Sequence, residues 1–159
     1  MRIKKYIFWV MLAGPLLTIV YDCNDNKSVE TGLINGKSPS NKQKWHWGNK
    51  EKQNSDAGYA QVVKVDNTMY VSGVTTSQIS IAGVNRLYKE LKKCLDAFGA
   101  SPSQVVKETL YTTDIELMKK CNEPRKIFYK GDFPAATWVQ IDRLYEKDAK
   151  LEVDFIVQF

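Results

Sequence analysis

Residues 151–159 alternate without a break. Leu151, Val153, Phe155, Val157 and Phe159 fall on one side of an extended chain, and Glu152, Asp154, Ile156 and Gln158 on the other. A period of two sustained this long specifies a strand with one apolar face, so the sheet it joins is covered on one side only. The cover is legible as well. Val84, Leu87, Leu91, Cys94, Leu95 and Phe98 recur at spacings of three and four, while Lys89, Glu90, Lys92, Lys93 and Asp96 take the other faces. This amphipathic helix runs for about five turns. It stops at Gly99, and Ser101-Pro102 prevents its continuation.

The other segments fill in the same plan. Trp45, His46 and Trp47 form a short first strand; residues 59–65 and 68–72 are two β-prone runs joined by Asp66-Asn67, a hairpin signature that Gly73 ends. Residues 105–113 read as a long strand, 114–121 are ambiguous, and Pro124 sets the start of a second helix near Asn122. That helix supplies Ile127, Phe128 and Tyr129 to the core, and residues 136–143 form the next strand. The order hairpin, helix, strand, helix, strand, strand predicts an α+β domain of two layers, a mixed sheet with two helices on one face. The opposite face mixes Glu152 and Asp154 with Ile156, a composition suited to contact between copies of the chain.

The first 43 residues read as an address and a spacer. Arg2, Lys4 and Lys5 precede an uncharged run from residue 6 to 21, broken by Gly14 and Pro15. This is the pattern of a signal peptide over 1–22, with a retained anchor helix as the alternative, and it implies export. Cys23 follows directly and resembles the acylated cysteine of a bacterial lipoprotein, although Val20-Tyr21-Asp22 departs from the small residues usual there. A lipid anchor on Cys23 and plain secretion (periplasmic or beyond the cell) both stay open. Residues 23–43 are rich in Asn, Ser, Gly and Lys and read as a flexible tether, leaving 44–159 as the folded domain. The remaining cysteines are Cys94, on the apolar stripe and read as a buried thiol, and Cys121.

Composition and motifs then exclude several chemistries. The net charge of +5 is modest and falls to +3 once the leader's three basic residues and one acidic residue are set aside, so no nucleic-acid partner is expected. Neither glycine-rich phosphate loop occurs. With one histidine and no C-x-x-C pair there is no zinc spacing, and no metal is expected. A serine triad would have to use His46, which sits between two tryptophans ahead of the main domain and reads as part of an aromatic edge.

An ordered set of segments carries a family resemblance. It comprises Gly58-Tyr59-Ala60-Gln61-Val62-Val63-Lys64-Val65, Asn67-Thr68-Met69-Tyr70-Val71-Ser72-Gly73, Phe98-Gly99-Ala100-Ser101, Val105-Val106-Lys107, Tyr111-Thr112-Thr113-Asp114, Asn122, Phe133-Pro134-Ala135 and Leu151-Glu152-Val153. Together these resemble the RidA/YjgF family of imine deaminases. The resemblance implies a chorismate-mutase-like fold assembled as a homotrimeric barrel, with a ligand cleft between neighbouring subunits and no cofactor. By the same resemblance Tyr59 stands at the cleft mouth, Ser72 and Gly73 line its floor, Asn122 borders it, and Glu152 is the catalytic carboxylate that positions water.

One position departs from the family. The arginine that follows Pro-Ala in relatives is Ala136 here. A guanidinium grips a carboxylate through two charge-assisted hydrogen bonds, each worth ~1.5–3 kcal/mol, and a methyl offers neither donor nor charge. Arg143, Lys107 and Lys130 are the cations weighed as substitutes, with Arg143 placed on the opposite face of the same strand as Ala136. Trp138 falls on the same side as Ala136 and fills part of the vacated volume, so the pair favours an uncharged or aromatic ligand. The expected function is therefore small-molecule binding in an intersubunit cleft with the standard deaminase activity lost or altered. The alternatives are an imine or enamine hydrolase with a different substrate anchor, and an RNA-cleaving activity.

Overall fold

The computed structural model of the chain describes residues 41–48 and 58–159. The leader over 1–22, Cys23 and the tether up to residue 40 lie outside the described residues. One six-stranded sheet organises the domain. Its strands are β1 (Gln43–Trp45), β2 (Val62–Val65), β3 (Thr68–Thr76), β4 (Val105–Thr112), β5 (Ala135–Gln140) and β6 (Leu151–Gln158), in the spatial order β1-β2-β3-β6-β4-β5. All neighbours are antiparallel except β4 and β5. That one parallel pair makes the sheet mixed and requires a crossover, which α2 (Ile115–Lys120) and α3 (Glu123–Tyr129) provide.

The hairpin turns at Asp66-Asn67, with Val65 opposite Thr68 and Asp66 at a φ of 52°, a left-handed conformation that aspartate tolerates. Gly73 does not end it. β3 runs on to Thr76, and the pairing with β6 slips between Val71 and Val74, so that Ser72 and Gly73 together stand opposite Asp154. This β-bulge is the irregularity on which the candidate site is built.

Helix α1 (Ile81–Asp96) starts at Ser80, whose hydroxyl accepts from the Gly83 N–H at 3.1 Å, and gives way to Gly99 at a φ of 69°. Its Val84, Leu87, Leu91, Cys94 and Leu95 pack on Met69, Val71, Val74, Leu110, Val153, Phe155 and Val157. β6 alternates as its sequence demands, odd-numbered residues into this core and even-numbered residues toward the open face. Cys94 and Cys121 are buried and form no disulfide among the described residues, and burial pushes the Cys94 thiol up to about 12.

The first strand is Gln43–Trp45 and not 45–47, since His46 and Trp47 lie beyond its end and turn toward Gln61; three further segments are decided or corrected by the structure. The ambiguous stretch after β4 is the short helix α2, started by Asp114, whose carboxylate accepts from the Leu117 N–H at 2.9 Å; its Met118 joins the core. Ile127 lies on the outer side of α3 and is exposed, whereas Tyr129 is buried and Phe128 partly so. β5 ends at Gln140, so Arg143 is not on that strand; its guanidinium donates to the carbonyls of Leu144 and Tyr145 in the following loop.

Candidate functional site

The β3 bulge and β6 make a pocket on the open face of the sheet. A cavity of about 320 Å³ is lined by Tyr59, Ser72, Gly73, Thr75, Tyr145, Glu146 and Glu152. Glu152 pairs across the sheet with Thr75 on one side and Tyr111 on the other, which points its carboxyl along the open face. Beneath it, Gly73 leaves room. A β-carbon there would sit 1.8 Å from Glu152 Oε1, so the carboxylate occupies the space of a missing side chain.

Burial disfavours the charged form of Glu152, and the neighbouring Asp154 carboxylate adds to the effect, so its carboxyl titrates above the ordinary value of 4.5. Desolvation raises Asp154 too, against hydrogen bonds from Thr109 that work the other way. A carboxyl kept neutral to higher pH can donate a proton as well as accept one, as acid–base chemistry requires. A stability consequence follows. Above pH 4.5 the folded chain holds protons that the unfolded chain has released, so stability falls as pH rises through the raised Glu152 value. In urea titrations across that window, Glu152→Gln is expected to flatten the decline; an unchanged slope would place its cause elsewhere.

The pocket wall is braced from upstream. Ser72 donates its hydroxyl to the Ala60 carbonyl at 2.8 Å, and its own carbonyl accepts from Gln61 Nε2 at 2.7 Å. Gln61 Oε1 accepts from Trp47 Nε1 at 3.0 Å, and the Gln61 N–H donates to His46 Nδ1 at 3.2 Å. The His46 ring packs edge-on against Tyr59, with centroids 5.3 Å apart. His46 and Trp47 thus hold pocket residues in place, a role their position in the sequence does not announce. No sequence pattern marks Thr75, Tyr145 and Glu146 either, because the bulge and the loop before β6 bring them in.

Four of the expected site residues, Tyr59, Ser72, Gly73 and Glu152, come together here. Asn122, Ala136 and Trp138 do not line this pocket. Asn122 precedes α3, and its Oδ1 is buried without a hydrogen-bond partner among the described residues. Ala136 and Trp138 stand on the edge strand β5, opposite Glu108 and Leu110 of β4, and Glu108 and Leu110 are buried on the helix-covered face. Of the cations weighed for position 136, Lys107 bonds Thr137 Oγ1 on the other face of the sheet, and Lys130 closes α3 in a left-handed conformation.

A different guanidinium lies on the helix-covered side. Arg125 of α3 donates from Nε to Glu108 Oε1 at 2.7 Å, while Glu108 Oε2 accepts from the hydroxyls of Tyr88 (3.0 Å) and Tyr129 (2.7 Å). Glu108 is wholly buried and the Arg125 side chain is 9% exposed. Burial works against the Arg125 charge, but the Glu108 carboxylate outweighs it and holds the guanidinium above its ordinary value. Burial and the same carboxylate keep the Tyr88 and Tyr129 hydroxyls protonated.

A two-layer α+β domain with a carboxyl set over a glycine bulge on its open sheet face is the class that this architecture defines. The chain belongs to the RidA/YjgF family: residues 50–159 match the family model described as Endoribonuclease L-PSP. The 2-iminobutanoate/2-iminopropanoate deaminase of Homo sapiens is 31% identical over 107 residues, covering 62% of this chain and 77% of the human protein. Its namesake from Dermatophagoides farinae is 30% identical over 108 residues, covering 62% and 84%. Among solved structures, a member of the YjgF/YER057c/UK114 family from Mycobacterium tuberculosis shares the fold at a TM-score of 0.65 and 21% identity, over 74% of this chain and 99% of that one. RidA from an Antarctic Psychrobacter aligns at a TM-score of 0.58 and 26% identity, over 64% and 89%. His46 and Trp47, which bond Gln61, precede the matched region.

Proposed function

We propose that this chain binds a small organic ligand at clefts between the subunits of a homotrimer, and that it hydrolyses imines with an altered selectivity, away from small aliphatic imino acids and toward aromatic ones. The observation that carries the reading is the Glu152 carboxyl, raised toward its neutral form and lodged over Gly73 in a pocket with Tyr59 and Ser72. Curated relatives are named as 2-iminobutanoate/2-iminopropanoate deaminases, which supports imine chemistry at that carboxyl. The alteration is inferred from the β5 edge, where a methyl at Ala136 and the indole of Trp138 present apolar surface. Export belongs to the same proposal, either with a lipid anchor on Cys23 or as plain secretion, and rests on the leader sequence alone. The described residues that line the pocket include two carboxylates, Glu146 and Glu152, and no cation to neutralise a phosphodiester backbone; RNA cleavage is not proposed.

The test supplies imines continuously from an amino-acid oxidase and follows keto-acid release. The expected result is acceleration with the imine made from phenylalanine, lost in Glu152→Gln, and none with that made from 2-aminobutyrate. Acceleration of the aliphatic imine that Glu152→Gln abolishes, or none with the aromatic imine, would overturn the reading.

A further inference from the structure

The Arg125 guanidinium has two edges, and only one is used. Its Nε is fixed on Glu108, whose other oxygen is fixed by two tyrosine hydroxyls. Nη1 and Nη2 make no hydrogen bond to a described residue, yet neither is a buried unsatisfied atom; Asn122 Oδ1 alone holds that status among the described residues. The outer edge of the fork therefore opens through the small exposed part of the side chain.

Its surroundings are aromatic. The guanidinium carbon lies 5.2 Å from the ring centre of Tyr129, 5.5 Å from that of Phe133 and 5.6 Å from that of Trp138. Phe133 is half exposed. Contact with both Glu108 and Trp138 puts the guanidinium above the β4–β5 edge, on the side where Ala136 projects, since Glu108 pairs with Ala136 and Leu110 with Trp138. Ala136 is exposed and ends at its β-carbon, so nothing of that residue reaches across the fork.

We propose that Arg125, with Ala136, Phe133 and Trp138, forms a binding site for an aromatic carboxylate, whose oxygens accept from Nη1 and Nη2 while its ring lies on the apolar β5 edge. The inference rests on the reading of that edge as part of the ligand cleft. The chemistry is that of a preorganised fork. Glu108 neutralises the pair overall and holds the guanidinium still, so the ligand meets planar donors already aimed outward and spends little entropy on ordering them. A neutral amide of the same shape offers only one acceptor oxygen and no charge.

Calorimetric titration of the full chain with phenylacetate and phenylacetamide tests this directly. The acid is expected to bind about tenfold tighter than the amide. Arg125→Lys keeps a cation for Glu108 but loses the fork, and should reduce the ratio several-fold. Ala136→Leu leaves the buried ion pair intact and fills the space beside it; acid binding should fall at least about tenfold with the unfolding midpoint unchanged. Equal binding of acid and amide, no acid binding by the folded wild type, or wild-type acid binding by Ala136→Leu would each overturn the proposal. The ratio needs no turnover, so the oxidase-coupled assay and this titration can fail independently.

Discussion

Glu108→Ala is expected to destabilise the chain by about 3–5 kcal/mol, a large part of the stability of a domain this size. The carboxylate it removes is wholly buried and accepts three hydrogen bonds, from Arg125, Tyr88 and Tyr129. Its loss strands a guanidinium that is nine-tenths buried and two buried hydroxyls, and an unpaired buried charge costs far more than the intact pair contributes. Urea unfolding followed by tryptophan fluorescence would show the change as a lower midpoint at an unchanged slope. The double replacement Glu108→Leu with Arg125→Met separates two explanations. It removes both charges at similar volume and should recover the part of the loss that comes from the orphaned guanidinium, while the Tyr88 and Tyr129 hydroxyls stay without their acceptor. If the double variant is as unstable as the single one, the network itself holds the helices to the sheet. Three exposed pairs, Lys93–Glu90, Lys119–Glu116 and Lys126–Glu123, would each change stability by less than about 1 kcal/mol.

The contrast between that network and the rest of the core marks what the sequence could disclose. Periodicity within one segment was enough for β6, the α1 stripe and the Asp66-Asn67 hairpin, because each depends on neighbours a few residues away. The bulge depends on how β3 pairs with a strand some eighty residues later, and no local pattern distinguishes a glycine that ends a strand from one that lets it slip past its partner. Ile127 follows the same logic: α3 has only seven residues, too few for a stripe to reveal which side faces inward. Arg125 does not stand out in the sequence because a charged residue on a short helix is ordinarily solvated. A signal was nevertheless present. Glu108, Leu110 and Thr112 share one side of β4, and a carboxylate on an apolar strand face calls for a buried cation. Of the site, Tyr59 ahead of β2, Ser72 and Gly73 on β3 and Glu152 on β6 were legible through the family resemblance. The brace from His46 and Trp47 was not, because it forms between segments whose spacing carries no motif.

Gly73→Ala should separate function from folding at the site itself. The added β-carbon would lie 1.8 Å from Glu152 Oε1, 2.5 Å from its Cδ and 2.6 Å from its Cγ, distances at which something must move. Gly73 is not in the left-handed region, so the substitution brings steric displacement without backbone strain. The atoms it meets are the outer part of a flexible side chain on a strand whose odd-numbered residues remain packed, and the stability loss should stay near ~1 kcal/mol. Activity has no such latitude. A displaced carboxyl can neither hand over a proton nor hold a water where the pocket places the ligand, and hydrolysis of the phenylalanine-derived imine should fall about 10²–10⁴-fold, the span of a lost general acid–base group. Combining Gly73→Ala with Glu152→Asp withdraws the carboxyl by one methylene and should recover part of the rate. If Gly73→Ala keeps full activity, Glu152 works from another position and the bulge is a packing device; if the double variant is no better than the single, displacement of the carboxyl is not what the alanine does.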